Sequence, residues 1–124
     1  MNIKKDLLYK DSHEWIKFNK DGTALMGISD FAQSELGDIV FINLPEPGDC
    51  FLAGETIADI ESVKAVSDIY SPVNATVVEI NEELISSPEL INQDPYEAWL
   101  IKLEDVVQSG DFMSGEEYED FIVE

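Results

Sequence analysis

Short runs of alternating apolar and polar residues recur along the chain and are separated by turn-forming residues. Such runs occupy residues 15–18, 23–28, 57–61, 66–70, 76–80 and 99–103. Alternation with a period of two is typical of a strand with one buried face. Strands of this length with turn signals every ten or so residues favour an antiparallel sandwich or small barrel. We therefore expect an all-β fold.

One run departs from this alternation. Residues 38–44 place four apolar side chains in succession, and a Pro-Glu-Pro-Gly turn follows. A strand with little alternation is expected where both faces are buried, or where the strand crosses between two sheets. We predict one of these two arrangements for residues 38–44.

Two short peripheral helices are indicated by capping residues. Ser29 has the position of a helix N-cap and Gly37 that of a C-terminal cap, which predicts a helix over residues 30–36. Ser87 followed by Pro88 predicts one helical turn over residues 87–91, with Ser87 as the cap and Pro88 at the first helical position.

The C-terminal segment predicts a helix over about residues 114–122. Ser114 and Glu117 have the spacing of a capping box, in which each side chain binds the backbone N–H of the other residue. Tyr118, Phe121 and Ile122 then form an apolar stripe with helical spacing. We expect this helix to pack on the sandwich.

The runs at 57–61 and 66–70 flank the group Ser-Val-Lys-Ala at 62–65, which predicts a tight hairpin with Lys64 at its tip. Lys64 is the only cationic residue between Lys20 and Lys102, and that span contains sixteen Asp and Glu residues. A lysine amine on an exposed turn can be acylated and can then carry a cargo beyond the protein surface. From spacing alone, an ordinary solvated lysine is the alternative.

The charge of the chain excludes some classes of partner. The 124 residues suit a single domain, residues 1–124, and they carry a net charge of −20 with no arginine. Nucleic acids and anionic membranes are bound through cationic residues, so neither is expected as a partner. Self-repulsion at this charge favours a monomer, and the negative field favours docking on electropositive surfaces of other proteins.

Cysteine and histidine restrict the chemistry further. Cys50 is the only cysteine, so no intrachain disulfide can form, and His13 is the only histidine, so a multi-histidine metal site is excluded. The scattered carboxylates match no calcium-loop spacing, and no metal is expected. The N-terminus lacks a signal-like apolar segment. We expect a cytoplasmic protein, or a mitochondrial matrix protein if this is an organellar form without its transit peptide.

The amino-acid sequence around the predicted turn indicates a protein family. The segment Glu-Ser-Val-Lys-Ala-Val-Ser-Asp at 61–68 closely resembles the lipoyl-attachment segment of the H protein of the glycine cleavage system. Further matches lie in order along nearly the whole chain, at residues 12–15, 27–30, 32–33, 36–41, 44–48, 88–92 and 94–96. The resemblance implies a lipoyl/biotinyl-type barrel-sandwich hybrid, a lipoyl-carrier domain, with lipoic acid linked to Lys64 through an amide bond.

The same resemblance implies a substrate carrier without catalytic residues. A pyridoxal-phosphate-dependent glycine decarboxylase would load an aminomethyl group on the lipoyl arm. A tetrahydrofolate-dependent aminomethyltransferase would remove it, and dihydrolipoyl dehydrogenase would reoxidise the arm. A lipoate ligase or lipoyltransferase would attach the lipoyl group.

Other site residues follow from the resemblance. It implies that Glu14 lies beside the groove that receives the loaded arm, and we expect this residue to contribute little to the fold. Ser62, Val63 and Ala65 flank the lysine, and Glu61 is either a solvated charge or part of the surface that the ligase recognises.

One position departs from the family pattern. Glu35 stands where several members have a histidine that lines the groove of the lipoyl arm. The hydrogen-bond chemistry of that histidine therefore does not transfer to this chain.

Three alternative carriers remain. Biotin carriers usually place methionine on both sides of the lysine, and lipoyl domains of 2-oxo-acid dehydrogenases usually have Asp before it. Val63 and Ala65 argue against the first, and Val63 argues against the second. An H-like carrier for lipoyl relay or redox regulation outside glycine cleavage fits nearly every residue, so it stays open.

Overall fold

The computed structural model describes residues 2–107 and 111–123. Within them the chain forms nine strands and four short helices. In chain order these are β1 (Leu8–Tyr9), β2 (Glu14–Phe18), β3 (Ala24–Ile28), α1 (Asp30–Leu36), β4 (Ile39–Asn43), β5 (Cys50–Phe51), β6 (Thr56–Ser62), β7 (Val66–Tyr70), β8 (Asn74–Ile80), α2 (Glu83–Ser86), α3 (Leu90–Gln93), β9 (Ile101–Val107) and α4 (Gly115–Ile122).

The strands form two antiparallel sheets that enclose one main core. The larger sheet has the order β1-β2-β3-β9-β8-β5, and the smaller has the order β4-β6-β7. Met26 and Leu103 from the larger sheet belong to the same buried cluster as Ile42, Ile60 and Ile69 from the smaller one. The prediction of an all-β sandwich with short peripheral helices and a C-terminal helix is confirmed. None of the helices in the described part of the chain is long and apolar enough to cross a membrane.

The prediction for residues 38–44 is wrong. Strand β4 pairs only with β6 and lies at the edge of the smaller sheet, and a register shift occurs between Ile39 and Phe41. At this bulge an extra residue enters the strand, so Val40 and Phe41 both face solvent while Ile39 and Ile42 are buried. The unbroken apolar run thus reflects a bulge, and only one face of the strand is buried.

Local signals located α1 correctly but misplaced α3. The Ser29 hydroxyl accepts a hydrogen bond from the N–H of Ala32 at 3.1 Å, as the capping pattern predicts. Ser87, in contrast, ends α2, which the sequence did not indicate, and its N–H donates to the Glu83 carbonyl at 2.9 Å. Helix α3 therefore begins at Leu90, later than predicted.

The C-terminal helix α4 packs on the larger sheet through Tyr118. Its predicted capping box, Ser114 with Glu117, is present. Tyr118 is fully buried and its ring stacks on that of Tyr9 with centroids 4.4 Å apart. Its hydroxyl lies 2.6 Å from the Ser29 hydroxyl and 2.8 Å from Nδ1 of His13. Tyr118 therefore fixes the C-terminal helix to the segment that leads into β2.

A close approach between β2 and β3 depends on a missing side chain. Trp15 is buried, and its indole N–H donates to the carbonyl of Pro95 at 3.1 Å. Gly27 is the residue paired with Trp15, and a Cβ at Gly27 would lie only 2.6 Å from Cζ2 of the indole. Because Gly27 has no side chain, the Trp15 ring can occupy the space above its backbone.

We predict that Gly27→Ala lowers the free energy of unfolding by about 1–3 kcal/mol, because the new methyl group displaces the indole from its packed position. Urea denaturation measures the change. Trp15→Phe removes the part of the ring that the methyl group meets, so the cost of Gly27→Ala should be smaller in the Trp15→Phe background. Equal costs in both backgrounds would contradict this explanation.

Candidate functional site

The predicted hairpin is formed by β6 and β7, with Glu61 and Val66 as the last cross-strand pair before the turn. Ser62 closes the turn: its N–H donates to the Ala65 carbonyl at 2.8 Å. Its hydroxyl oxygen lies 3.2 Å from the N–H of Lys64 and 3.1 Å from the N–H of Ala65. The turn is therefore held by one serine, with Lys64 at the tip as the sequence predicts.

Lys64 is exposed, but its side-chain stem does not extend freely into solvent. The side chain lies over Gly37, which ends α1 at φ 77°, and a Cβ at Gly37 would lie 3.3 Å from Lys64 Cε. Among the described residues, Lys5 with Glu119 is the one ion pair within 4.0 Å, so the Lys64 ammonium group has no carboxylate partner there. The amine is thus accessible, and its stem rests on the end of a helix.

Asn92 of α3 holds the residues beneath Lys64. Its side-chain amide donates to the carbonyl of Gly37 at 2.8 Å and to Oε1 of Gln33 at 2.9 Å. Its side-chain oxygen accepts a hydrogen bond from the N–H of Ile39 at 2.9 Å. One side chain therefore connects the end of α1 to the start of β4. No sequence pattern indicated this role, because these partners lie more than fifty positions away in the chain.

The remaining residues near the turn differ in exposure. Val63 is 66% exposed, Ala65 is exposed, and Glu61 is half-buried in the row behind the tip. Glu35 is exposed on α1, and its charge, with that of Asp11, opposes the lowering of the His13 pKa by burial. The structure therefore places Glu35 in the electrostatic environment of His13.

Glu14 occupies a different position, between the two sheets. It is only 2% exposed, and its carboxyl group accepts hydrogen bonds from the Ser12 hydroxyl and, at 3.2 Å, from the N–H of Tyr70. The first contact lies beside β2 and the second at the end of β7. The expectation that Glu14 contributes little to the fold is therefore wrong, because this buried carboxyl group connects the larger sheet to the smaller one.

An open concavity lies on the solvent side of these contacts. It has a volume of about 510 Å³ and is lined by both hydrogen-bond partners of Glu14, Ser12 and Tyr70, together with Lys10, Asp11, Ala53, Gly54 and Ser71. Tyr70, at the concavity, and Val66, next to the hairpin turn, are the two ends of β7. They are four residues apart in the strand, which corresponds to about 13 Å. Sequence reasoning missed Tyr70 because it contributes only its backbone N–H.

The surroundings of Glu14 favour its neutral form. Burial raises the pKa of this carboxyl group from 4.5 to about 7, although the hydrogen bonds from Ser12 and Tyr70 oppose the rise. A carboxyl group with this pKa can change protonation state near neutral pH when a positive charge approaches.

Comparison with known proteins identifies the family. A family model described as glycine cleavage H-protein matches residues 7–124. The chain belongs to this family. It is 52% identical over 122 residues to a glycine cleavage system H protein of Lachnoclostridium phytofermentans, with 98% of this chain and 96% of the relative covered. It is 55% identical over 117 residues to one of Vibrio campbellii, with 92% and 93% covered.

A solved structure shows the same fold. The crystal structure of a glycine cleavage system H protein from Mycobacterium marinum matches with a TM-score of 0.91 and 35% identity, and 98% of this chain and 100% of that one are covered. The resemblance recognised in the sequence and the barrel-sandwich fold it implies are both confirmed. In the described residues, no group of three or more His, Cys, Asp and Glu side chains is arranged to hold a metal ion.

The burial of Glu14 predicts a specific pH dependence of stability. Below pH 4.5 the carboxyl group is protonated in both the folded and the unfolded chain, and its contribution to stability is fully present. That contribution is lost as the pH rises through about 7. Glu14→Gln cannot titrate. Between pH 5 and pH 8, the free energy of unfolding should therefore fall further in the wild type than in Glu14→Gln, by on the order of 1–3 kcal/mol.

Urea denaturation at the two pH values tests this difference. Glu104→Gln, which removes an exposed carboxylate on β9, is the control for the change in net charge and should keep the pH dependence of the wild type. If Glu14→Gln also keeps that dependence, the carboxyl group does not titrate in this range.

Proposed function

We propose that this chain is the lipoyl-bearing carrier of the glycine cleavage system, with lipoate linked by an amide bond to Nζ of Lys64. The observation that carries the proposal is the position of Lys64 in a member of this family. Its amine is exposed at the tip of a hairpin and has no carboxylate within 4.0 Å in the described part of the chain. A nucleophilic lysine has to be accessible and deprotonated before it can be acylated.

The residues around Lys64 suit this attachment. Ser62 fixes the turn through its side-chain contacts with Lys64 and Ala65. Gly37 offers a surface without a side chain, so a long substituent on the lysine can leave the hairpin without a steric barrier from α1. The dithiolane of a lipoyl group would supply the intramolecular disulfide that this chain, with Cys50 as its only cysteine, cannot form by itself.

Glu14 is proposed to receive the amino group of the cargo. Its carboxyl group lies behind the concavity formed with Ser12 and Tyr70, about 13 Å along β7 from the hairpin. A carboxyl group with a pKa of about 7 is ionised when an ammonium group binds beside it, and a charge-assisted hydrogen bond then holds the two together. The concavity would also limit access of water to a labile aminomethyl unit.

The proposed partners are the other components of the system. Glycine decarboxylase would load the aminomethyl unit, the aminomethyltransferase would pass its carbon to tetrahydrofolate, and dihydrolipoyl dehydrogenase would restore the disulfide of the dithiolane. A lipoate ligase or lipoyltransferase would modify Lys64. The chain itself would bind and present the cargo without catalysing any of these steps.

A second candidate is an H-like carrier for lipoyl relay or redox regulation outside glycine cleavage. The observation that favours it is Glu35, exposed on α1 in place of the groove histidine of several family members. Assays of the lipoylated protein distinguish the two functions. A glycine cleavage carrier supports release of carbon dioxide from glycine by the decarboxylase, whereas a dedicated relay protein supports only transfer of the lipoyl group to another carrier.

Lys64→Arg tests the attachment site. Arginine keeps the positive charge and the approximate length but cannot be acylated as lysine is. Because the side chain is exposed, the free energy of unfolding should change by no more than about 0.5 kcal/mol. After incubation with lipoate, ATP and a lipoate ligase, intact-mass measurement should show one lipoyl group on the wild type and none on Lys64→Arg.

Lys17→Arg provides the matched control, because Lys17 is an exposed lysine on β2, remote from the hairpin in sequence. This variant should be lipoylated like the wild type. Lipoylation of Lys64→Arg, or its loss in Lys17→Arg, would rule out Lys64 as the attachment site.

The net charge of −20 predicts how the carrier meets its enzymes. Long-range attraction to electropositive surfaces accelerates association and is screened by salt. The apparent KM of the decarboxylase for this carrier should therefore rise between low and moderate ionic strength. Measurement of the decarboxylase with a small-molecule lipoate analogue controls for direct effects of salt on the enzyme. A KM that stays flat or falls for the carrier would contradict electrostatic steering.

A further inference from the structure

Four apolar side chains surround the tip of the lysine hairpin and face solvent. Val63 and Val66 are each 66% exposed, Val40 is 56% exposed and Phe41 is 43% exposed. We call these four residues the hairpin patch. Soluble domains seldom group large exposed apolar residues unless the group contacts another molecule.

Strand pairing shows that part of the patch is a continuous row. Phe41 pairs with Glu61, and Glu61 pairs with Val66 on the next strand. Side chains of directly paired residues point to the same face of a sheet and lie about 5 Å apart. Phe41, Glu61 and Val66 therefore form one row across the outer face of the smaller sheet, next to the turn that carries Lys64.

The bulge in β4 enlarges this row. Regular alternation would turn one of two successive side chains toward the core, but the register shift between Ile39 and Phe41 leaves both Val40 and Phe41 exposed. Ile39 and Ile42 on either side already fill the core positions of this strand. The exposed pair thus does not contribute to the main core, and its apolar character requires an explanation outside the fold.

The charges around the patch define the complementary surface. Glu61 lies between the two apolar ends of the row, and the next row consists of Asn43, Asp59 and Asp68. Lys64 is the only cation in residues 21–101. A partner that covers this face must therefore present apolar side chains beside a basic side chain opposite Glu61.

We propose that the hairpin patch is the docking surface for the enzyme that acylates Lys64, and that this enzyme meets Val40 and Phe41 with an apolar surface and Glu61 with a basic side chain. The proposal rests on the proposed function. It extends recognition beyond the hairpin to the neighbouring strand β4.

The position of the patch favours this enzyme over those that act on the cargo. The acylating enzyme must bring an activated carboxyl group to Nζ at the hairpin tip, so its surface must pack against the residues that flank the tip. An enzyme that acts on the far end of a long substituent works on a group that can extend well away from the hairpin. Contacts with the face of the sheet next to the tip, where Val40 and Phe41 are exposed, are thus expected of the first class of enzyme and not of the second.

The test measures lipoylation kinetics of the double variant Val40→Ser/Phe41→Ser, with purified lipoate ligase, ATP and lipoate. We expect its KM to rise about ten-fold while kcat changes less than two-fold, because docking is weakened and the lysine is unchanged. Leu52→Ser and Ile85→Ser are matched controls. They remove exposed apolar side chains, 62% and 53% exposed, that lie outside the patch, and each should change KM less than two-fold.

Val66→Thr provides a second variant of nearly the same shape at a 66% exposed position, and it should raise KM in the same direction. Thermal unfolding of every variant confirms that it is folded. A KM of the double variant equal to that of the controls would overturn the proposal. The same holds if only the KM of the glycine decarboxylase rises, or if sedimentation shows a wild-type dimer that the double variant loses, because the patch would then bind the decarboxylase or a second copy.

Failure of the proposed function gives a separate result. A wild-type protein that is not lipoylated at Lys64 would refute that function. A wild type that is lipoylated, with KM insensitive to Val40→Ser/Phe41→Ser, would refute only the docking surface.

Discussion

The hairpin that carries Lys64 is held in place because its inner face is buried against the larger sheet. Ile60 on β6 and Ile69 on β7 belong to the main core, and their chain neighbours Asp59, Glu61 and Asp68 lie on the opposite, outer face of the sheet. Burial of an isoleucine side chain contributes about 1.5–3 kcal/mol, so displacement of the hairpin is costly. A short turn on this support presents its lysine in a defined position, whereas the same turn on a mobile loop would not.

A second set of contacts joins the regions on either side of this support. Glu14 connects the start of β2 to the end of β7, and Tyr118 fixes the C-terminal helix to His13 and Ser29 close by. Burial raises the pKa of the Tyr118 hydroxyl to about 12, so this group remains a neutral hydrogen-bonding partner at physiological pH. The segment that precedes β2 is therefore held from both sides, which keeps the buried carboxyl group in place behind the concavity.

The sequence allowed prediction of features that depend on local interactions. The caps at Ser29 and Ser114 and the hairpin around Lys64 involve residues within a few positions of one another, and the structure contains all three. Features that depend on distant partners were missed or mistaken. The burial of Glu14 depends on Tyr70, fifty-six positions away, and the bulge in β4 depends on its register with β6. No local pattern distinguishes a bulged edge strand from one that is buried on both faces.

The bulge has a further consequence for behaviour at high concentration. An exposed edge strand is a template for pairing with a strand of another molecule, and long flat edges promote aggregation. In β4 the extra residue between Ile39 and Phe41 interrupts the regular spacing of backbone groups, and Asp38 adds a charge where the strand begins. An incoming strand could not continue its ladder of hydrogen bonds through this point. The same irregularity that exposes two apolar side chains thus protects the sheet edge beside them.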